Sequence, residues 1–122
     1  MMLSKNNSHL TNGRLAETIA LKHLKSNGLK AIEKNYNCRH GEIDLIMQHS
    51  NTVVFVEVRY RKNLNYGGAM ESITFSKQKK LHKTALHYMQ KQGQEINSRF
   101  DVIAIHGDLN SAPSIEWIQN AF

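Results

Sequence analysis

Residues 53–61 read VVFVEVRYR. Val53, Val54, Phe55, Val56 and Val58 are the β-branched and aromatic residues of a strand inside a sheet. Glu57 stands in the middle of that run, and Arg59 and Arg61 follow two and four places on. Side chains on a strand alternate between faces, so Val53, Phe55, Glu57, Arg59 and Arg61 share one face. A carboxylate buried there needs a partner, because burying an unpaired charge is costly.

The chain around this strand has 122 residues, enough for one domain with one modest core. Hydrophobic residues make up 40% and charged residues 21%, which is neither a disordered nor a membrane composition. No apolar run approaches the roughly 20 residues of a membrane helix, and the N-terminal stretch MMLSKNNSHLTNG lacks the apolar segment of a secretory signal. Cys38 is the single cysteine, so no internal disulfide or cysteine metal cluster forms, and a reducing cytoplasm is the expected setting. Sixteen Lys and Arg against ten Asp and Glu give +6. A basic domain of this size attracts polyanions, and nucleic acid is the commonest.

Residues 1–12 are polar and are expected to form a flexible N-terminal segment, leaving 13–122 as a single domain. A helix is expected over 13–27, with Ala16, Ala20, Leu21 and Leu24 facing inward and Arg14, Thr18, Lys22 and Lys25 outward. Asn27-Gly28 stops it. Strands are expected over 29–39, 41–48 and 53–61, the last two joined as a hairpin by a polar turn over 49–52. Residues 62–75 form a loop with a Gly67-Gly68 hinge. Ser76 can cap a second helix that runs to about Gln92 and stops at Gly93, with Leu81, Ala85, Tyr88 and Met89 inward. Residues 100–105 form a short apolar strand, and 113–118 a last edge strand. The order predicts a mixed central α/β sheet flanked by helices, with the strands on either side of the second helix parallel.

In the hairpin, a tight turn sets Gln48 near Val53, and counting back sets Asp44 opposite Glu57 or one place off. Opposed Cβ atoms lie about 5 Å apart. Two carboxylates at that distance repel, unless a divalent cation sits between them. Mg²⁺ takes carboxylate and carbonyl oxygens and keeps waters for substrate phosphate. Glu17 falls on the inward stripe of the first helix and needs a partner, either the same metal through water or a cation such as Arg59. Lys77 and Gln78 lie on the inward side of the second helix, at an N-terminus that attracts anions. The bland readings are an ordinary cross-strand pair of Glu42 with Arg59, a solvated lysine face of Lys79, Lys80 and Lys83, and packed or loop tyrosines at Tyr36 and Tyr66. Seven scattered histidines give no zinc pattern. Asp101 reads as a structural cap or as the partner of Arg99.

Together, Glu17 in GRLAE, Asp44 in GEIDLI and Glu57-Val58-Arg59 resemble the acid motifs of the restriction-endonuclease-like, PD-(D/E)xK superfamily. More closely, NGRLAETIALKHL, NYNCRHGEIDLIM, TVVFVEVRYR, the YGGA loop, SKQKKL and RFDVIAI resemble the YraN family of small bacterial proteins, related to archaeal Holliday-junction resolvases. The resemblance covers about residues 12–105. It implies an αβββαβ core and a metal-dependent phosphodiesterase ancestry. Asp44, Glu57 and the Val58 carbonyl match the metal site, with Mg²⁺ or Mn²⁺ as cofactor, and Glu17 matches the accessory acid. By the same kinship, the expected ligand is branched or structured DNA and the expected assembly a homodimer. Ile43 replaces the proline of the motif, a harmless change. Arg59 replaces its lysine. Arginine stays protonated and cannot act as a base, although it can clamp a phosphate, and Lys77 can move into the vacant role.

The expected catalytic set is therefore Glu17, Asp44, Glu57, Arg59 and Lys77. The expected nucleic-acid contacts are Arg39, Arg61, Lys62, Lys77, Gln78 and Lys80. Three readings follow: a Mg²⁺-dependent endonuclease, a nucleic-acid-binding module without cleavage, and a protein-interaction domain.

Overall fold

A computed structural model describes residues 11–63 and 73–122. Its elements are α1 (Asn12–Ser26), β1 (Lys30–Cys38), β2 (Gly41–His49), β3 (Thr52–Arg61), α2 (Phe75–Gln92), β4 (Ser98–His106) and β5 (Ser114–Ile118). Residues 1–10 lie outside the described residues, as do Tyr66 and the Gly67-Gly68 hinge.

The five strands form one sheet in chain order. β1–β2, β2–β3 and β4–β5 pair antiparallel, whereas β3–β4 pair parallel. The parallel pair is the one interrupted by a helix, because parallel strands need a long crossover. β3 is the central strand, as its apolar run requires. Alternation along β2, β3 and β4 then builds a core on each side of the sheet. Leu45, Met47, Val54, Val56, Ile103 and Ile105 pack with Ala16, Ala20 and Leu24 of α1. Ile46, Phe55, Phe100 and Val102 pack with Leu81, Ala85 and Tyr88 of α2. Of the inward stripes predicted for the helices, Ala16, Ala20, Leu24, Leu81, Ala85 and Tyr88 are buried, Leu21 and Met89 are half-buried, and Thr84 is buried with the second.

The helix ends show their chemistry. Thr11 caps α1 by accepting from Arg14 N–H, and Gly28 follows the stop at φ +93°. α2 differs from expectation at its start. Its cap is Thr74, whose hydroxyl accepts from Lys77 N–H, and Ser76 already lies inside the first turn. Either hydroxyl suits a cap, and the packing of Ile73 against the α2-side core favours the earlier start. At the far end, Gly93 closes α2 in the left-handed conformation that glycine adopts without strain.

Asp101 is fully buried and fully partnered. It takes a two-oxygen fork from Arg99, the indole N–H of Trp117 and the backbone N–H of Asn120. The expected Arg99 pair is therefore one part of a wider clamp that ties β4 to β5 and to the residues beyond it. None of the helices among the described residues is long and apolar enough to cross a membrane.

Candidate functional site

The site is a fork between two strands. The β2–β3 ladder runs from His49–Thr52 through Gln48–Val53 to Leu45–Val56 and ends there. Past that point the strands separate, and the Val58 N–H has a side-chain acceptor: it donates to Asp44 Oδ2 at 2.8 Å. Glu57, on the same stretch of β3, is buried. The two carboxyls line one cleft, where the charge of Glu57 acts on Asp44. The convergence expected from the hairpin register is therefore the geometry observed.

Strand alternation alone does not deliver it. Ile43 and Ile46 both pack on the α2 side, while Leu45 packs on the α1 side. Strict alternation along β2 would place Glu42, Asp44, Ile46 and Gln48 on one face; it fails at Asp44, where the side-chain phase slips. The slip lies across from Asn35 of β1, between the pairs Lys34–Leu45 and Tyr36–Ile43. Asn35 has φ +52°, a left-handed conformation that asparagine tolerates better than most residues.

The electrostatics of the pair are dominated by burial. Loss of water pushes the Asp44 carboxyl up to about 8, helped by the charges of Glu57 and Glu17 and opposed by the Val58 N–H. Burial also raises Glu57, against the pull of Lys77 and Arg59. Glu57 Oε2 holds Arg59 Nη2 at 3.1 Å and Lys77 Nζ at 3.8 Å. Among the described residues, no such cation pairs with Asp44. Arg59 Nε is buried there without a hydrogen-bond partner. Glu57, Arg59 and Lys77 are thus one ion cluster, and the cross-strand pair of Glu42 with Arg59 is not formed.

These groups line a cleft of about 410 Å³ with Glu17, Tyr60, Arg61 and the small residues Gly13 and Ala16. Glu17 is half-buried on α1, as its stripe predicts, and its protein partner is not Arg59. Its Oε1 accepts from the Asn35 side-chain amide at 3.1 Å, and Asn35 Oδ1 accepts in turn from Arg14. Asn35 was not legible as a site residue; its only local signal is the tolerance of asparagine for left-handed backbone. Among the described residues, no three of His, Cys, Asp and Glu cluster to hold a metal. What the fork offers a cation is the two carboxylates of Asp44 and Glu57, hard oxygen donors of the kind Mg²⁺ takes.

The remaining expected contacts surround this end of the sheet. Arg61 and Lys62 are exposed where β3 ends, and Arg39 is exposed in the turn that leads into β2. That turn is held against α2, since a Cβ on Gly41 would meet Thr84 Oγ1 at 3.3 Å. Lys77 and Gln78 are half-buried in the first turn of α2, and Lys80 is exposed in the next. The Gln78 amide is within 3.4 Å of the Ile73 carbonyl. A larger cleft of about 620 Å³ lies at the opposite end of the β2–β3 hairpin, lined by Gln48, Asn51, Gln92 and Glu95, and gathers no acid pair.

The element order and mixed sheet are those of the αβββαβ core of restriction-endonuclease-like folds, with β5 added at one edge. The profile described as "Uncharacterised protein family UPF0102" matches residues 16–105, from the second turn of α1 nearly to the end of β4. The chain is 47% identical over 114 residues to a UPF0102 protein of Stutzerimonas stutzeri, covering 92% of this chain and 94% of that one. It is 49% identical over 112 residues to one of Legionella pneumophila, covering 90% and 92%. It is 52% identical over 110 residues to one of Psychromonas ingrahamii, covering 90% and 88%. The protein belongs to the UPF0102 family, which is the YraN family that its motifs resemble.

Proposed function

We propose that this protein binds nucleic acid at the β2–β3 fork and acts there as a Mg²⁺- or Mn²⁺-dependent endonuclease on structured or branched DNA. The observation that carries the reading is that Asp44 and Glu57 line one cleft beside an unpartnered buried donor, Arg59 Nε. Two carboxyls gathered in one partly buried cleft destabilise each other unless a proton or a cation joins them. A divalent ion held there by Asp44, Glu57 and the Val58 carbonyl would supply charge stabilisation and a water of lowered pKa.

The chain's own groups account for the rest. Arg59 is always protonated, and its Nε and Nη2 form part of a planar fork matched to phosphate oxygens. With Nη2 on Glu57, Nε is left to meet the scissile phosphate and offset charge on it. Lys77 brings a second cation from α2 to the same carboxylate. Glu17, through Asn35, closes the α1 side of the cleft. The exposed cations Arg39, Arg61, Lys62 and Lys80 extend the positive surface along which a phosphate backbone can lie.

One observation favours a second reading, a binding module without cleavage. Arg59 stands where the superfamily motif has lysine, and it already spans to Glu57 at 3.1 Å. A site neutralised by its own cations binds phosphate without needing a metal. Purified wild type and Asp44→Ala are to be incubated with supercoiled, linear and four-way-junction DNA in Mg²⁺, Mn²⁺ or EDTA. Cleavage by wild type that Asp44→Ala abolishes supports the enzyme. Binding that falls steeply with salt, persists in EDTA and is never followed by cleavage supports the module. Absence of retention at physiological salt excludes both.

A further inference from the structure

We infer that Asn35 is the positioning residue of the acid cleft: its left-handed backbone turns Asp44 toward α1, and its side-chain amide fixes Glu17 beside that acid with its charge uncompensated. The inference rests on the cation reading above and assigns the residue that arranges two of the three acids.

The backbone half comes from a matched irregularity on two strands. On β2, Leu45 packs on the α1 side while Ile43 and Ile46 pack on the α2 side. Asp44 lines the cleft with Gly13 and Ala16 of α1, so Asp44 and Leu45 face the same way. On β1, Tyr36 packs on the α2 side, whereas Lys34 and Asn35 both line a small cavity of about 120 Å³ beside Arg14 and Glu17. Lys34 pairs with Leu45 and Tyr36 with Ile43, so the two doubled positions lie against each other. Asn35 supplies the left-handed residue, at φ +52°. Strict alternation would send Asp44 to the α2 side, away from Glu17.

The side-chain half is a neutral spacer. Arg14 and Glu17 stand three apart on α1, the spacing of a direct ion pair. Asn35 lies between them instead: its Oδ1 accepts from Arg14 Nη1 and its Nδ2 donates to Glu17 Oε1, each at 3.1 Å. An amide has one acceptor end and one donor end, so only this orientation satisfies both neighbours. Among the described residues Glu17 makes no ion pair, and its charge acts on Asp44. A third uncompensated carboxylate near Asp44 and Glu57 is unfavourable by itself and favourable beside a divalent cation.

The test is the Mn²⁺ affinity of the full chain without nucleic acid, measured by calorimetry, together with thermal unfolding. Asn35→Gly accepts the left-handed backbone and lacks the amide. It should weaken Mn²⁺ binding about 10- to 100-fold, the range for groups that orient metal ligands, and Glu17→Gln should weaken it as much. Adding Asn35→Gly to Glu17→Gln should cost no further affinity, because the amide acts through the Glu17 charge. Asn35→Ala also lacks the amide but resists positive φ. It should melt below Asn35→Gly, the reverse of the usual order of these residues within a strand. An Asn35→Gly protein that binds Mn²⁺ like wild type, a further loss in the double variant, or an Asn35→Ala protein more stable than Asn35→Gly overturns the inference and leaves the cation reading intact. A wild type that binds no Mn²⁺ removes both.

Discussion

Stability of the metal-free protein should fall as pH rises through the neutral range, and the cause should be Asp44. The carboxyl sits near 8 in the folded protein against an ordinary 3.8. Between those values the folded state holds a proton that the unfolded state has released, so stability declines with pH. The stabilising difference is fully present below about pH 4 and gone above about pH 8. A shift from 3.8 to about 8 has a ceiling of about 6 kcal/mol. Relaxation of the half-buried site, and the proton shared with Glu57, should reduce this to roughly 2–3 kcal/mol. For a chain of this length that lowers Tm by roughly 8–12 °C. The assay is thermal unfolding in EDTA from pH 4 to 9, on wild type and Asp44→Asn. The neutral amide should flatten the profile and make the variant the more stable protein at pH 8. Adding Mg²⁺ at pH 8 should raise the Tm of wild type and leave Asp44→Asn unmoved, because a bound cation does the work of the missing proton. A wild-type profile that matches Asp44→Asn across the range, together with no response to Mg²⁺ or Mn²⁺, would refute the account of the fork as a charge-poor cation site.

Two further outcomes concern the scaffold. Asp101→Asn should cost about 3 kcal/mol in denaturant unfolding, since it leaves the Arg99 fork short of its counter-charge and weakens the anchors on Trp117 and Asn120. Gly41→Ala should cost about 1–3 kcal/mol, because φ is +149° there and the new methyl would press on Thr84 Oγ1 at 3.3 Å. The Gly41→Ala loss should appear as a lower Tm and persist in a Thr84→Ala background, where the backbone strain remains.

The fold was largely readable because its signals are local. The apolar run of 53–58, the 3.6-residue stripes of the helices and the short turn after His49 each specify an element, and the turn specifies the register that brings Asp44 to Glu57. What escaped the reading depends on distant partners. The slip at Asp44 answers the left-handed Asn35 on the neighbouring strand, and no periodicity within β2 announces it. Glu17 could be read as needing a partner, yet nothing within one turn of α1 says that an asparagine 18 residues later will supply it. Thr74 and Ser76 are equivalent as caps on paper, and the start of α2 follows from the packing of Ile73. Asp101 reads as a cap or as the partner of Arg99 because both are local options; Trp117 and Asn120 reach it only once β5 is folded back.

The parallel pairing of β3 with β4 has a consequence for how the chain is made. Val53 meets Ser98 only after the whole of α2 has been synthesised and has crossed the sheet. Until then the β2–β3 hairpin can form, but its second strand has a bare apolar edge that is prone to sticking to other chains. Release of the last fifth or so of the polypeptide from the ribosome should therefore be the step that both hides this edge and completes the wall behind Glu57, so that a nascent fragment ending before Ser98 should be insoluble.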